Sequence, residues 1–172
     1  MHRVLYMKPL ENSEQFLRIY DEFADAIFRH CYLRVSDRER AKELAQETFI
    51  RAWKYLSEGK KVDQMRALLY RMANNLIIDD YRKKKEASLE ALQEGGFEPS
   101  HNPETKLHNI IEGKKIAEML QKIESPYREA VMMRYIDDLN PKEIAEATGE
   151  TQNVVSVRIN RGLTKLRQLL HG

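Results

Sequence analysis

Apolar residues return every three or four positions through almost the whole chain, and this spacing breaks down only between Glu86 and Glu104. A repeat near 3.6 lines one face of a helix, whereas a half-buried strand needs strict alternation, and no alternating run occurs. An all-α protein is expected. Ahead of the break the spacing predicts three helices. The first runs from Ser13, its expected cap, to about Val35, with Phe16, Ile19, Tyr20, Phe23, Ile27, Phe28 and Cys31 on one side. The second starts at Ser36 and Asp37 and ends near Gly59; its inner side is Ala41, Leu44, Ala45, Thr48, Phe49, Ala52 and Leu56. The third spans about Asp63 to Lys85, with Met65, Leu69, Met72, Ala73, Leu76 and Ile77 turned inward. It closes on Arg82, Lys83, Lys84 and Lys85, which would offset the negative end of a helix dipole.

The break itself has a distinct composition. Glu86, Glu90, Glu94, Glu98 and Glu104 occur there with no Lys or Arg, and Gly95, Gly96, Pro99 and Pro103 oppose a continuous helix. Residues 86–105 read as a flexible acidic linker, either a solvated tether or a segment that lies in a basic channel of a partner or screens basic helices of this chain when their ligand is absent. Two small helical domains, 1–85 and 106–172, follow from this division, and 172 residues can bury two such cores. Charged residues are 33% of the chain, yet 42% are hydrophobic and fall in periodic blocks, so folding rather than disorder is expected.

Several classes are excluded. No apolar run approaches the roughly 20 residues that cross a bilayer, and the start MHRVLYMKPLENSEQ lacks a signal-peptide core, so a cytoplasmic protein without membrane insertion is expected. Cys31 is alone and cannot form an intramolecular disulfide; beside His30 in an apolar stretch it reads as a small buried side chain. His2, His101, His108 and His171 are scattered without ligand spacing, so neither metal nor cofactor is expected. Gly-rich phosphate loops, paired catalytic carboxylates and nucleophile motifs are missing, and no catalytic residue is assigned. The chain is not expected to be an enzyme.

Beyond the break, helical spacing resumes from Lys106 to Ile123 through Ile110, Ile111, Ile116, Met119, Leu120 and Ile123. Ser125 as cap and Pro126 in the first turn predict a helix to about Tyr135, carrying Ala130, Val131, Met133 and Arg134 ahead of a turn at Asp137, Asp138 and Asn140. The stretch PKEIAEATGETQNVVSVRINRGLTKLRQLL, Pro141 to Leu170, then reads as two helices hinged at Gly149, with Thr151 capping the second. Val155, Ile159, Leu163, Leu166 and Leu170 form its buried stripe, leaving Asn153, Ser156, Val157, Asn160, Arg161 and Thr164 outward. No acid follows Glu150, whereas Arg158, Arg161, Lys165 and Arg167 do, although the whole chain carries only +2. Such a face suits a major groove; a helical hairpin with a solvated basic side is the plainer reading.

Two constellations now stand in order, and together they resemble the extracytoplasmic-function group of bacterial RNA polymerase sigma factors of the sigma-70 family. ELAQETFIRAWKYL, Glu43 to Leu56, resembles the part of region two that grips the clamp helices of the polymerase largest subunit. RALLYRMANNLIIDDYRKKK, Arg66 to Lys85, resembles the following part, which melts and reads the promoter element near minus ten. YREAVMMRYIDDLNPKEIAEATGETQNVVSVRINRGLTKLR resembles region four, whose helix-turn-helix reads the element near minus thirty-five. The resemblance implies core polymerase, through its clamp helices and flap, and promoter DNA as partners, with an anti-sigma factor as regulator.

Each segment also has a reading of its own. On the second helix Glu43, Gln46, Glu47, Ile50 and Lys54 share the exposed side, and this mixed surface suits a protein interface better than phosphates, which its carboxylates would repel; an ordinary solvated face is the alternative. On the third, the adjacent amides Asn74 and Asn75 are poor helix formers, which base recognition, or else local capping or a bend, would explain. Tyr70 or Tyr81 would stack on an unpaired base. By resemblance, Asn75 matches the pocket for a flipped-out base and Arg82, Lys83 and Lys84 hold the backbone, with Asp79 ordering the basic side chains. The upstream element falls to Gln152, Asn153, Ser156, Val157, Arg158, Asn160, Arg161 and Lys165, among which Arg158 and Arg161 are the expected strong phosphate or guanine contacts. Ser156 and Val157 replace the basic and small residues usual in the family, and Leu68 or Leu69 stands where many members have Trp. A dimeric repressor would share the helix-turn-helix but gives no reason for an Asn pair beside a basic cluster. A helical enzyme or structural protein predicts no salt-dependent DNA binding.

Overall fold

The structure, a computed structural model, describes residues 11–93 and 114–172, and among these every regular element is an α-helix. In chain order they are α1 (Glu11–Val35), α2 (Arg38–Ser57), α3 (Met65–Gln93), α4 (Lys114–Gln121), α5 (Ser125–Tyr135), α6 (Pro141–Thr148) and α7 (Gln152–His171). Helices α1 to α3 pack on one another, and α5, α6 and α7 form a second group with α4 beside it.

Local chemistry sets most of the boundaries. Asp37 caps α2 by accepting from the Arg40 amide at 3.0 Å, and the buried side of that helix is the predicted set Ala41, Leu44, Ala45, Thr48, Phe49, Ala52 and Leu56. Asn140 caps α6 in a reciprocal box: its side chain accepts from the Glu143 amide at 3.0 Å and Glu143 accepts from the Asn140 amide at 2.8 Å. Gly149 ends α6 at φ +74°, the left-handed region that costs glycine least. Thr151 then caps α7, accepting from the Val154 amide at 3.3 Å.

Four expectations are corrected. Helix α1 already includes Glu11, so Ser13 lies within it rather than capping it. Helix α3 runs eight residues past Lys85, because Glu86, Ala87, Leu89, Glu90, Ala91, Leu92 and Gln93 are strong helix formers and no Gly or Pro intervenes. The run Arg82 to Lys85 therefore sits mid-helix, and the start of the expected linker is helical; residues 94–105 of that linker lie outside the described residues, as do Ile110 and Ile111. Glu124, not Ser125, occupies the cap position of α5, with Pro126 in the first turn, and no side chain bonds there. Ile116 of α4 and Leu170 of α7 are exposed, whereas Met119 and Leu120 of α4, Ile123 just beyond its end, and Val155 and Ile159 of α7 are buried.

The two helical groups share one apolar core. Ile27, Leu69, Tyr70, Ala73 and Ile77 of the first group belong to the same buried cluster as Ala130, Met133, Leu139, Ile144, Ala147, Val155 and Ile159 of the second. Leu33 at the end of α1 packs into a second cluster with Leu120, Val131 and Met132. Helix α6 lies against α3, which joins the groups.

Candidate nucleic-acid and polymerase interfaces

Helix α7 presents an outward face without an acid. Gln152, Asn153, Val157, Asn160 and Arg161 are exposed and Ser156 is half-buried, while Val155 and Ile159 anchor the opposite side. Gly162 lets α7 approach α5 closely: a Cβ there would stand 2.5 Å from Val131 Cγ2 and 3.0 Å from the Tyr127 carbonyl oxygen. That contact sets the angle at which the outer face is offered. Tyr127, Asn153, Val154, Val157, Arg158 and Arg161 border a shallow groove along it. Two of its cations are engaged within the chain. Arg158 donates from Nη1 to Glu150 at 2.6 Å, and Lys165 donates to Glu124 while standing 5.2 Å from the Tyr127 ring centre. Arg161 is exposed, with only a 3.4 Å contact to the Tyr127 hydroxyl.

On α3 the expected base-reading residues separate. Asn75 is exposed and Asn74 half-buried, as successive helical positions must be when one faces a neighbouring element. Tyr70 is 1% exposed and lies edge-on to His30 at 4.9 Å, so it cannot stack on a base, and its place on the inner stripe beside Leu69 is the reason. Tyr81 remains half exposed and donates its hydroxyl to the Arg34 carbonyl oxygen. Burial raises the Tyr70 hydroxyl to about 12, with Asp137 adding to the effect, and the group stays a phenol. Arg82, Lys83 and Lys84 are exposed along one run. Asp79 does order a cation, standing 3.5 Å from Arg82, but the stronger organiser is buried Asp80, which accepts from Arg40 at 2.6 Å and pairs with Lys84 at 3.1 Å. Spacing along α3 does not reveal that role of Asp80, since it needs Arg40 from another helix.

The α2 face is intact as read. Glu43, Gln46, Ile50 and Lys54 are exposed and Glu47 is half-buried, with Ile50 at 62% and Trp53 at 37% exposure giving the polar surface an apolar centre. Arg51 donates to Glu47 at 2.8 Å and Arg40 to Glu43 at 2.6 Å, so the carboxylates are held in place by short-range pairs. An apolar spot within a satisfied polar rim is how protein interfaces are built.

A polar cluster at the seam of the two groups escapes sequence reasoning. His30 of α1 is fully buried; its Nδ1 donates to the Asp137 carboxylate at 2.9 Å, and its Nε2 stands 2.9 Å from the Asn74 side-chain amide. Arg34 donates to Asp137 at 3.2 Å and to Glu129 at 3.0 Å. Arg66 donates to the carbonyl oxygens of Asp137 and Asp138 at 2.6 and 2.9 Å. Burial acts to raise the Asp137 carboxyl, but the Arg34 guanidinium and His30 outweigh it and hold the group below its ordinary range. A His within an apolar helical stripe is the available signal; its partners lie too far along the chain for spacing to reveal.

This arrangement of a mixed protein-binding helix, a basic amide-bearing helix and a capped helix-turn-helix defines a promoter-reading protein. The family model for Sigma-70 region 2 matches residues 19–87, and that for Sigma-70, region 4 matches residues 113–166. The chain is 30% identical over 169 residues to the ECF RNA polymerase sigma factor SigW of Bacillus subtilis, covering 92% of this chain and 90% of that protein. It is 25% identical over 162 residues to the RNA polymerase sigma factor YlaC of the same organism, covering 92% and 94%. Among solved structures, the sigma factor RpoE in complex with the anti-sigma factor NepR from Bartonella quintana shares the fold at TM-score 0.72 and 18% identity, over 92% of this chain and 98% of that one. CnrH in complex with the cytosolic domain of CnrY does so at TM-score 0.67 and 23% identity, over 92% and 89%.

The chain belongs to the extracytoplasmic-function RNA polymerase sigma factors of the sigma-70 family. Its function is promoter-specific initiation of transcription, and core polymerase and promoter DNA are its partners. No described helix is long and apolar enough to cross a membrane.

Proposed function

We propose that residues 1–85 seat the factor on polymerase and open the promoter, and that residues 106–172 anchor it upstream. Glu43, Gln46, Glu47, Ile50 and Lys54 meet the clamp helices of the largest subunit, with Ile50 as the buried anchor. Asn75, aided by Asn74, captures an unpaired base near minus ten, which offsets the few kcal/mol that unpairing costs. Arg82, Lys83 and Lys84 hold the adjoining phosphates. Helix α7 enters the upstream major groove with Gln152, Asn153, Ser156, Val157, Asn160 and Arg161, while Arg158 and Lys165 supply charge once released from Glu150 and Glu124. Neither half needs high affinity, since joint seating on polymerase raises the effective concentration of each.

The observation that carries this reading is the acid-free exposed face of α7, held by a capped turn and by the close α5 contact. The chain acts as an initiation factor, with synthesis left to polymerase, and it works in the cytoplasm. RpoE was solved bound to an anti-sigma factor, and a regulator of that kind is proposed here too. Run-off transcription with purified core polymerase and a promoter library tests the assignments. Asn75→Ala should impair opening more than duplex binding, and Arg161→Ala should weaken upstream binding by roughly 1–3 kcal/mol. If both variants initiate like the parent on every active promoter, the residue assignments are wrong.

A further inference from the structure

The elements near minus ten and minus thirty-five lie about 25 base pairs apart, roughly 85 Å along a duplex that rises about 3.4 Å per pair. Helix α3, the longest in the described chain at 29 residues, spans only about 44 Å at 1.5 Å per residue. Yet Asn74 of α3 and Arg158 of α7 line one and the same cleft of about 480 Å³ between the two helical groups. Two surfaces that border one cleft cannot contact both elements at once. The packing seen here is therefore a state that promoter binding must undo.

What holds that state together is specific. The Asp137 turn, between α5 and α6, enters the first helical group and meets it through four side chains from two helices: His30 and Arg34 of α1, and Arg66 and, through His30, Asn74 of α3. Asp138 takes φ +55°, a left-handed conformation that a non-glycine residue adopts at some cost, and its carbonyl is one of the two that Arg66 holds. Asp137 Oδ1 has no hydrogen-bond partner, so this carboxylate is buried with its needs only half met. A contact of that kind stabilises less than an apolar one of equal size, and it releases a hydrated carboxylate and guanidinium when it opens. It is suited to being reversible.

We infer that the Asp137 turn is a clasp: bound between His30, Arg34 and Arg66, it keeps the free chain closed, with Asn74 and Arg158 turned into the cleft and the two promoter faces too close together to reach both elements until polymerase displaces it. This rests on the base-reading role proposed for the Asn74 and Asn75 segment. The clasp itself is independent of that role, since it concerns only the distance between two groups of helices.

The test places spin labels at Glu22 and Gln168, exposed and outside both proposed interfaces, in the full chain and measures their separation by pulsed dipolar spectroscopy, free and bound to core polymerase. The free parent should give one short, narrow distance that lengthens and broadens on binding. Asp137→Asn keeps the shape of the turn and removes the charge; it should shift the free chain toward long distances. Its affinity for a fluorescent single-stranded minus-ten oligonucleotide should rise about tenfold, with initiation at saturating polymerase unchanged. Arg66→Ala, which removes only the grip on the two turn carbonyls, serves if Asp137→Asn unfolds, and should shift the distances in the same direction. A free parent already as extended as the bound one overturns the clasp, and so does a folded variant whose distances match the closed parent. A closed parent that opens in the variants but never initiates with core polymerase would leave the clasp standing and remove the promoter-reading assignment.

Discussion

Gly162→Ala offers a direct measure of how tightly the helix-turn-helix is held. In an open helix this exchange stabilises by about 1 kcal/mol, because glycine is the poorer helix former. Here the added methyl would meet Val131 Cγ2 at 2.5 Å and the Tyr127 carbonyl oxygen at 3.0 Å, whereas carbon atoms rest at about 3.5–4.0 Å. Relief requires a retreat of about 1 Å. Val131 is 5% exposed and branched at Cβ, so rotation of its side chain is restricted, and the Tyr127 oxygen is α5 backbone. The whole of α5 must shift, and overpacking of this kind costs about 1–3 kcal/mol. Set against the propensity gain, a net loss of about 0–2 kcal/mol is expected, or a melting temperature lower by up to about 8 °C. Urea denaturation followed by circular dichroism measures it. The companion Val131→Ala removes the closest contact, so the double variant should show a coupling above about 0.5 kcal/mol. A Gly162→Ala chain that gains about 1 kcal/mol, or strict additivity with Val131→Ala, would refute the close contact and with it the argument that α5 sets the pose of α7.

Three further outcomes stem from burial. Ile50→Glu lies on an exposed site and should change stability by less than about 0.5 kcal/mol, while association with core polymerase, read by fluorescence anisotropy, falls at least about tenfold; unchanged association would remove Ile50 from the interface. Tyr70→Phe deletes a buried hydroxyl that has no partner, so stability should hold or rise by about 1 kcal/mol, and permanganate footprints of the open promoter should match the parent; a lost footprint would put Tyr70 on DNA. Burial pushes the Cys31 thiol up to about 12 from an ordinary 9.0, against a smaller opposing effect of Arg34. The folded chain thus keeps a proton that the unfolded chain releases, so stability should fall as pH climbs above about 9, and iodoacetamide at pH 8 should not modify Cys31 until urea unfolds the chain. Rapid native labelling would contradict the burial.

The parts of this fold that are legible in the sequence are those that depend on neighbours three or four residues away. The buried side of α2 is readable to the last residue, and so are the Gly149 and Thr151 boundary and the exposed α2 face, because helical spacing and capping chemistry are local. The end of α3 misleads for the same reason: a cluster of lysines looks like a helix terminus, but residues 86–93 favour helix, and no breaker comes before Gly95. Tyr70 misleads because an aromatic one turn from an Asn suggests stacking, while its position on the Leu69 side buries it. The pairing of His30 cannot be read from spacing, because its partner Asp137 is 107 residues away; only its place in an apolar stretch marks it.

That distance also bears on why the chain looks like two independent modules and yet shares a core. Small helical units bury a lower fraction of their apolar surface than one larger body does, and Leu139 and Ile144, buried here, would lose their cover if α6 left α3. Apolar contact alone would then make the closed form hard to leave. The seam instead carries His30, Arg34, Asn74, Arg66 and Asp137, groups whose desolvation offsets much of the benefit of burying them. Replacing such a set with apolar residues of similar volume would be expected to lock the halves together, and an initiation factor so locked could not reach two promoter elements. The polar seam keeps the halves closed in isolation and separable on polymerase.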